Sequence, residues 1–315
     1  MNIYIAGIRM NEELRKLPTK TACFELVKIF PTIIEEAQLT FGKNVITIIA
    51  LPEYALTAHA INDSTKQTLL NCLQNAISQF KNVILIPGSL ATYQPFVEAP
   101  YKIEKLKDNY ESVTKQGLLE NDTHFNKEYN QYRQKIKKPI FDITYLENCT
   151  YVLTYNAKIK HKKRYPWKER DQLIGLLKNE SIFYIGADQS LKTITLENET
   201  IDLNLLICRE HHYEDEVCNK KNRQPLIEVI ISDWTDINKK NLHGSLNIHM
   251  DSKSGLTVYQ NKSHQRASLI DHIKAVEYTK NIMGEPNQEK LIHPIQLQSS
   301  NQHDIKKTSI KGVSA

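Results

Sequence analysis

Glycine is scarce in this chain, with 10 residues in 315. None falls into the GxGxxG or GxxxxGK spacing whose backbone cradles a phosphate, so no nucleotide cofactor is expected. The five cysteines, Cys23, Cys72, Cys149, Cys208 and Cys218, are odd in number and contain no CxxC pair. That argues against a disulfide framework and a thiolate zinc site, and for reduced thiols. No apolar run approaches the roughly 20 residues of a membrane-spanning helix. The opening MNIYIAGIRM has neither the basic and apolar regions nor the cleavage site of a secretory leader. A cytoplasmic location without a membrane partner is the resulting expectation. The net charge of +5, from 41 basic and 36 acidic residues, is too slight to suggest a nucleic-acid partner, which draws on a concentrated basic face. What remains, 40% hydrophobic and 24% charged residues, is the composition of an ordinary soluble globular chain.

The pattern of apolar residues supplies an order of elements. Alternation over 2–8 predicts a strand, and apolar residues at helical intervals over 23–39, among them Phe24, Leu26, Val27, Phe30, Ile33 and Ile34, predict a helix. The run VITIIALP at 45–52 is apolar throughout, rich in β-branched residues and closed by Pro52, as for a strand buried on both faces. A helix over 64–80 and the strand NVILIPGSL, punctuated by Pro87 and Gly88, continue a β-α-β-α-β order that predicts a layered α/β sheet. The polar stretch 92–138 breaks this rhythm and reads as a partly helical insertion. CTYVLTY and AKIKH then form a hairpin-like pair around Tyr155 and Asn156, followed by SIFYIG, LKTITL, IDLNLLIC and PLIEVIISDW as strands. Beyond Asp251 the signal weakens to a helix over 265–278 and a polar tail, 298–315, expected to be poorly ordered. The expected organisation is a single domain over 1–297 with the insertion at 92–138.

Three residues stand where such a fold places chemistry. Cys208 ends an apolar strand and precedes the polar run REHHYEDE. A strand-to-helix turn there exposes the sulfur and aims the following backbone N–H groups at a developing oxyanion. Glu53 ends another buried strand, where α/β sheets bind ligands, and Lys163 lies in the basic turn between them. A thiol becomes a nucleophile when a base takes its proton or a cation lowers its pKa. Cys, Glu and Lys meet those needs. Taken singly each has an ordinary structural explanation; their joint occurrence at strand ends distinguishes them. The adjacent His211 and His212 lack the i, i+4 spacing of a helical zinc pair and are read as polar residues at a helix start, so no metal is expected.

With ALPEYALT, NCTYVLTYNAKI, HKKRYPWKER, SIFYIGADQ and NLLICREHHYED in this order, the sequence resembles the nitrilase, or carbon-nitrogen hydrolase, superfamily over about residues 1–260. The resemblance implies an α/β fold of four layers, an αββα sandwich, assembled as a homodimer or higher homo-oligomer. It also implies amide hydrolysis on a small-molecule substrate, with Cys208 as nucleophile, Glu53 as general base and Lys163 as oxyanion stabiliser. Lys162 is the rival for the lysine, and Lys163 is preferred because it stands three residues before Pro166. Glu169 resembles a second carboxylate that positions the substrate or the lysine. Arg209 stands where true nitrilases usually have Trp, which favours an amide over a nitrile. Glu210, His211, His212 and Tyr213 replace the Asp-x-Arg-Phe common in amidase-like members. Nitrile hydrolysis, acyl transfer on the same triad and a catalytically silent binding scaffold stay open as alternatives.

Overall fold

The computed structural model describes residues 1–10, 17–57, 60–94, 143–163, 180–183, 191–208, 210–213, 225–264, 266–280, 293–294 and 298–299. Two sheets are packed face to face. In the first, β1 (Asn2–Met10), β2 (Ile46–Ala50) and β3 (Val83–Ile86) run parallel. Beyond β3 lie β5 (Ile143–Leu153), β4 (Ser89–Gln94), β6 (Lys158–Lys162) and β7 (Glu180–Phe183). In the second, β9 (Thr200–Ile207), β10 (Ile227–Ser232) and β11 (Leu246–Asp251) are parallel, flanked by β8 (Leu191–Thr195) and β12 (Gly255–Gln260).

Strand periodicity decides what each face meets. Ile3, Ile5, Ile46, Ile48, Ile84 and Ile86 point inward and pack with Leu203, Leu205, Val229, Ile231, Ile248 and Val258 of the second sheet. Their neighbours Tyr4, Ala6, Ile49 and Leu85 point outward, onto α1 (Thr19–Val27), α2 (Phe30–Phe41) and α3 (Asp63–Ile77). Strands buried on both sides are therefore apolar along their whole length. The outer face of the second sheet, with Leu206, Ile230 and Tyr259, is covered by Ile237 and Leu242 around a 3-10 turn at Lys239–Asn241. These layers agree with the expected α/β class and its αββα sandwich. No described helix is long and apolar enough to cross a membrane.

Asn62 caps α3, its side chain accepting a hydrogen bond from the Thr65 N–H at 2.7 Å. Asn62→Ala is expected to lower stability by about 1 kcal/mol, read as a lower urea midpoint at unchanged slope.

Three expectations are corrected. The helix over 23–39 is two helices, broken at Lys28 and Ile29, because Pro31 lacks the N–H of a helix interior and sits instead in the first turn of α2. The stretch 92–138 begins too early: Thr92, Tyr93 and Gln94 complete β4, antiparallel to β5, and 95–138 lie outside the described residues. Where a helix over 265–278 was expected, there is a 3-10 turn at Ala267–Leu269 and then a strand, β13 (His272–Lys280), parallel to β1 over nine residue pairs. Ala275 faces the second sheet while Val276 and Tyr278 face the helices. The Tyr278 hydroxyl lies 2.7 Å from that of Tyr4 and donates to Glu36 at 2.7 Å. Apolar residues on both faces of a strand mimic helical spacing, and pairing with β1 overrides the local signal. In the tail, Gln298 and Ser299 form a short strand beside β12.

Candidate active site

Two sheets deliver their strand ends to one place. Cys208 follows β9, and its N–H donates to the Ile231 carbonyl at 2.6 Å. Glu53 follows β2 of the other sheet, and its N–H donates to the Ser232 carbonyl at 3.2 Å. Consecutive residues at the end of β10 thus hold the backbones of Glu53 and Cys208. Glu53 is 2% exposed and Cys208 is 5% exposed, so the sulfur-bearing residue, expected to be exposed by its turn, is instead enclosed.

Lys163, the first residue after β6, is buried as well, and its Nζ donates to Glu53 Oε1 at 2.9 Å. Burying an ion pair is favourable only when further hydrogen bonds satisfy it. Asn148 of β5 supplies one, its Nδ2 donating to Glu53 Oε1 at 3.0 Å and to the Tyr54 hydroxyl at 2.7 Å, while its carbonyl accepts the Lys163 N–H at 2.9 Å. The preceding lysine goes elsewhere: Lys162 Nζ lies 3.1 Å from Glu147 Oε2, and Lys160 also pairs with Glu147. Burial works to raise the Glu147 carboxyl, and Lys160 and Lys162 overbalance it, holding it below the usual carboxylate range.

Glu210, two residues beyond Cys208, opens the short helix α4 (Glu210–Tyr213). Its Oε2 accepts the Ile207 N–H at 2.7 Å and lies 2.9 Å from His161 Nε2, all within the buried interior. His161 is two residues before Lys163, so Glu210 ties the turn carrying the sulfur to the strand carrying the lysine. His211 accepts the Asn238 N–H on Nε2 at 2.9 Å, and its Nδ1 lies 2.7 Å from the Cys208 carbonyl. The tautomer satisfying both bonds carries its proton on Nδ1. Its ring is thereby committed to bracing the turn. Among the described residues, no group of three His, Cys, Asp or Glu side chains is arranged to hold a metal.

The non-glycine residues with left-handed φ among those described are Tyr54 at 56°, Cys208 at 54° and Trp234 at 64°. Each lies just past a strand of this site, β2, β9 and β10. Such conformations are disfavoured for side-chain-bearing residues and persist only where surrounding contacts impose them. Just past the bend at Trp234, Thr235 Oγ1 comes 2.9 Å from Cys208 Sγ. Below it, the Ser232 hydroxyl donates to Asp251 Oδ2 at 2.7 Å and lies 2.7 Å from His249 Nε2. Burial works to raise the Asp251 carboxyl, but bonds from Ser254, Ser232, Lys253 and Thr235 overbalance it and hold it low. Burial pushes the His249 imidazole down, against the charges of Asp251 and Asp236.

Of the residues singled out from sequence, Glu53 and Lys163 are in direct contact, and the backbones of Glu53 and Cys208 share β10 as their anchor. Glu169, Arg209 and Pro166 lie outside the described residues. Asn148, Thr235 and Asp251 were not foreseen as site residues. Asn148 leads a quoted strand pair and was recoverable from its inward alternation, whereas a Thr past a strand end carries no signal of its own.

No family model matches the chain, and no curated protein matches it. Among solved structures it is similar to Saccharomyces cerevisiae Nit3, a member of branch 10 of the nitrilase superfamily, at 15% identity over 78% of each chain with a TM-score of 0.40. It is similar to a carbon-nitrogen hydrolase from Helicobacter pylori G27 at 11% identity over 80% of this chain and 78% of that one, TM-score 0.43. A variant of the Nesterenkonia AN1 amidase from the nitrilase superfamily follows at 10% identity, covering 82% and 79%, TM-score 0.42. These likenesses are distant, and they assign no residue of the site.

Proposed function

We propose that the chain is a carbon-nitrogen hydrolase of the nitrilase superfamily that cleaves a non-peptide amide of a small molecule through a thioester on Cys208. One observation carries this reading: Glu53, paired with Lys163, is held by the same end of β10 that holds Cys208, in a buried setting. In the reaction Glu53 takes the thiol proton as the sulfur attacks the amide carbon, forming the C–S bond. The carbonyl oxygen gains the displaced electron pair, and the Lys163 ammonium stabilises it. When the tetrahedral species collapses, the C–N bond breaks and the nitrogen leaves with the proton held on Glu53. Water, deprotonated by Glu53, then attacks the thioester; the C–S bond breaks, the sulfur regains a proton, and the acid departs. Glu169 is assigned the positioning of the substrate or of Lys163. Left-handed backbone at Cys208 and Tyr54 supports the reading, since strain of this kind clusters at sites where chemistry dictates the geometry.

The test is ammonia release from a panel of small primary amides. Cys208→Ala is expected to lower turnover on the order of 10⁴-fold or more, with an unchanged circular dichroism spectrum. Turnover surviving the change in a well-folded variant refutes the thioester route.

A further inference from the structure

Resting on the hydrolase reading, we infer that Thr235 is a positioning residue that holds the Cys208 sulfur and donates a hydrogen bond to its thiolate form. The two atoms are 2.9 Å apart, and the loop that carries the hydroxyl is built to keep it there. The Thr235 N–H donates to Asp251 Oδ2 at 3.2 Å. Asp251 is itself immobilised at the end of β11, its Oδ1 accepting the N–H groups of Lys253 at 2.9 Å and Ser254 at 2.8 Å. The Ser232 hydroxyl gives its single proton to Asp251, so His249 Nε2 is the donor in the bond to Ser232 Oγ. Ser232 thereby acts twice, holding Glu53 through its carbonyl and fixing the carboxylate that anchors Thr235 through its hydroxyl. The strained turn at Trp234 closes the arrangement.

A hydroxyl so held has one proton to give, and a thiolate is the acceptor that gains most from it, because hydrogen bonds to charged partners are about twice as strong as those between neutral groups. Among the described residues, the charged and titratable groups on the elements that meet at the Cys208 turn include Glu53 and Lys163 from the first sheet, with His161 on β6. Glu210 and His211 contribute from α4, His249 and Asp251 from β11, and Asp233 and Asp236 from the loop after β10. Replacing Thr235 leaves all of them in place.

The experiment follows the rate of Cys208 alkylation by iodoacetamide against pH, read by mass spectrometry of the Cys208 peptide in the full chain. Thr235→Val keeps the shape of the side chain and removes the hydroxyl. Its alkylation midpoint is expected to rise by about one pH unit, a tenfold loss of thiolate below both midpoints. Thr235→Ser, which keeps the donor, is expected to return the midpoint to within a few tenths of a unit. Val and wild-type profiles that superimpose overturn the assignment, as does a Ser variant displaced as far as Val. Thermal unfolding of each variant separates a general loosening from a local change. Amide turnover by the wild type is scored separately, so failure to find a hydrolysed amide leaves the alkylation result standing on its own.

Discussion

Lys163→Met is expected to lower stability by about 3–4 kcal/mol at neutral pH, and Glu53→Gln combined with it to restore most of that loss. The reason is the burial of both partners: each side chain is 2% exposed and Nζ lies 2.9 Å from Oε1. Removing one member of a buried pair strands the other charge, which costs about 3–5 kcal/mol, whereas replacing both with neutral groups of similar size is often harmless. A stranded carboxylate has an escape that sets a ceiling. It can bind a proton, and for a carboxyl with a free value of about 4.3 that costs close to 3.7 kcal/mol at pH 7, at about 1.36 kcal/mol per unit. The destabilisation of Lys163→Met should therefore shrink as the pH is lowered toward 5, because protonation becomes cheaper. In the double variant Asn148 still has an oxygen to donate to, now that of the amide. Urea midpoints of the wild type, both single variants and the double variant at two pH values check this. A Lys163→Met protein as stable as the wild type, or a loss independent of pH, would show that Glu53 is not ionised against this lysine.

The site was legible in sequence to the extent that it hangs on strands buried on both faces. ITIIA of β2 and TIDLNLLI of β9 carry burial into their own composition, and the polar residue terminating such a run is conspicuous. That is how Glu53 and Cys208 could be singled out without coordinates. Lys163 was harder, because in a basic turn every second residue is a candidate. The strand alternation that sends Lys160 and Lys162 to Glu147 distinguishes it only once β6 is seen to end at Lys162. Asn148 and Thr235 illustrate the remaining obstacle. Each is an ordinary polar residue in its local stretch and acquires meaning through partners far along the chain, Glu53 for one and Cys208 and Asp251 for the other. The strand β13 was misread for the same reason: its partner β1 is at the opposite end of the described chain, and no local window contains both.

Gly88→Ala should be among the most damaging single-methyl changes in the protein, because the space it needs is occupied by the backbone that presents Glu53. A Cβ at Gly88 would lie 2.2 Å from the Pro52 carbonyl oxygen and 3.3 Å from the Ala55 Cβ. The same Pro52 carbonyl accepts the Ala55 N–H at 3.3 Å, closing the turn that contains Glu53 and the left-handed Tyr54. A backbone oxygen in a bonded turn cannot retreat by the required ångström without dragging its neighbour Glu53 along. Gly88 also has a φ of +77°, a conformation that costs an L-residue roughly 1–2 kcal/mol by itself. Gly42 separates the two effects, since it has a φ of +87° but nothing within 4 Å of an added Cβ. Gly42→Ala, at φ 87° and ψ 173° in a region nearly exclusive to glycine, should therefore lose only a conformational part of about 1–3 kcal/mol, whereas Gly88→Ala should lose about 3–5 kcal/mol, in the range where a named steric conflict is required. A urea midpoint lowered further in Gly88→Ala than in Gly42→Ala reports the added clash. Alkylation of Cys208 and amide turnover per folded molecule should remain normal in Gly42→Ala. In Gly88→Ala turnover should fall further than the unfolded fraction explains, because displacement of Glu53 removes the base from the sulfur. Equal losses of stability in the two variants would mean that the Pro52 carbonyl yields freely, and that the base is not held by the contact between β2 and β3 at their C-terminal ends.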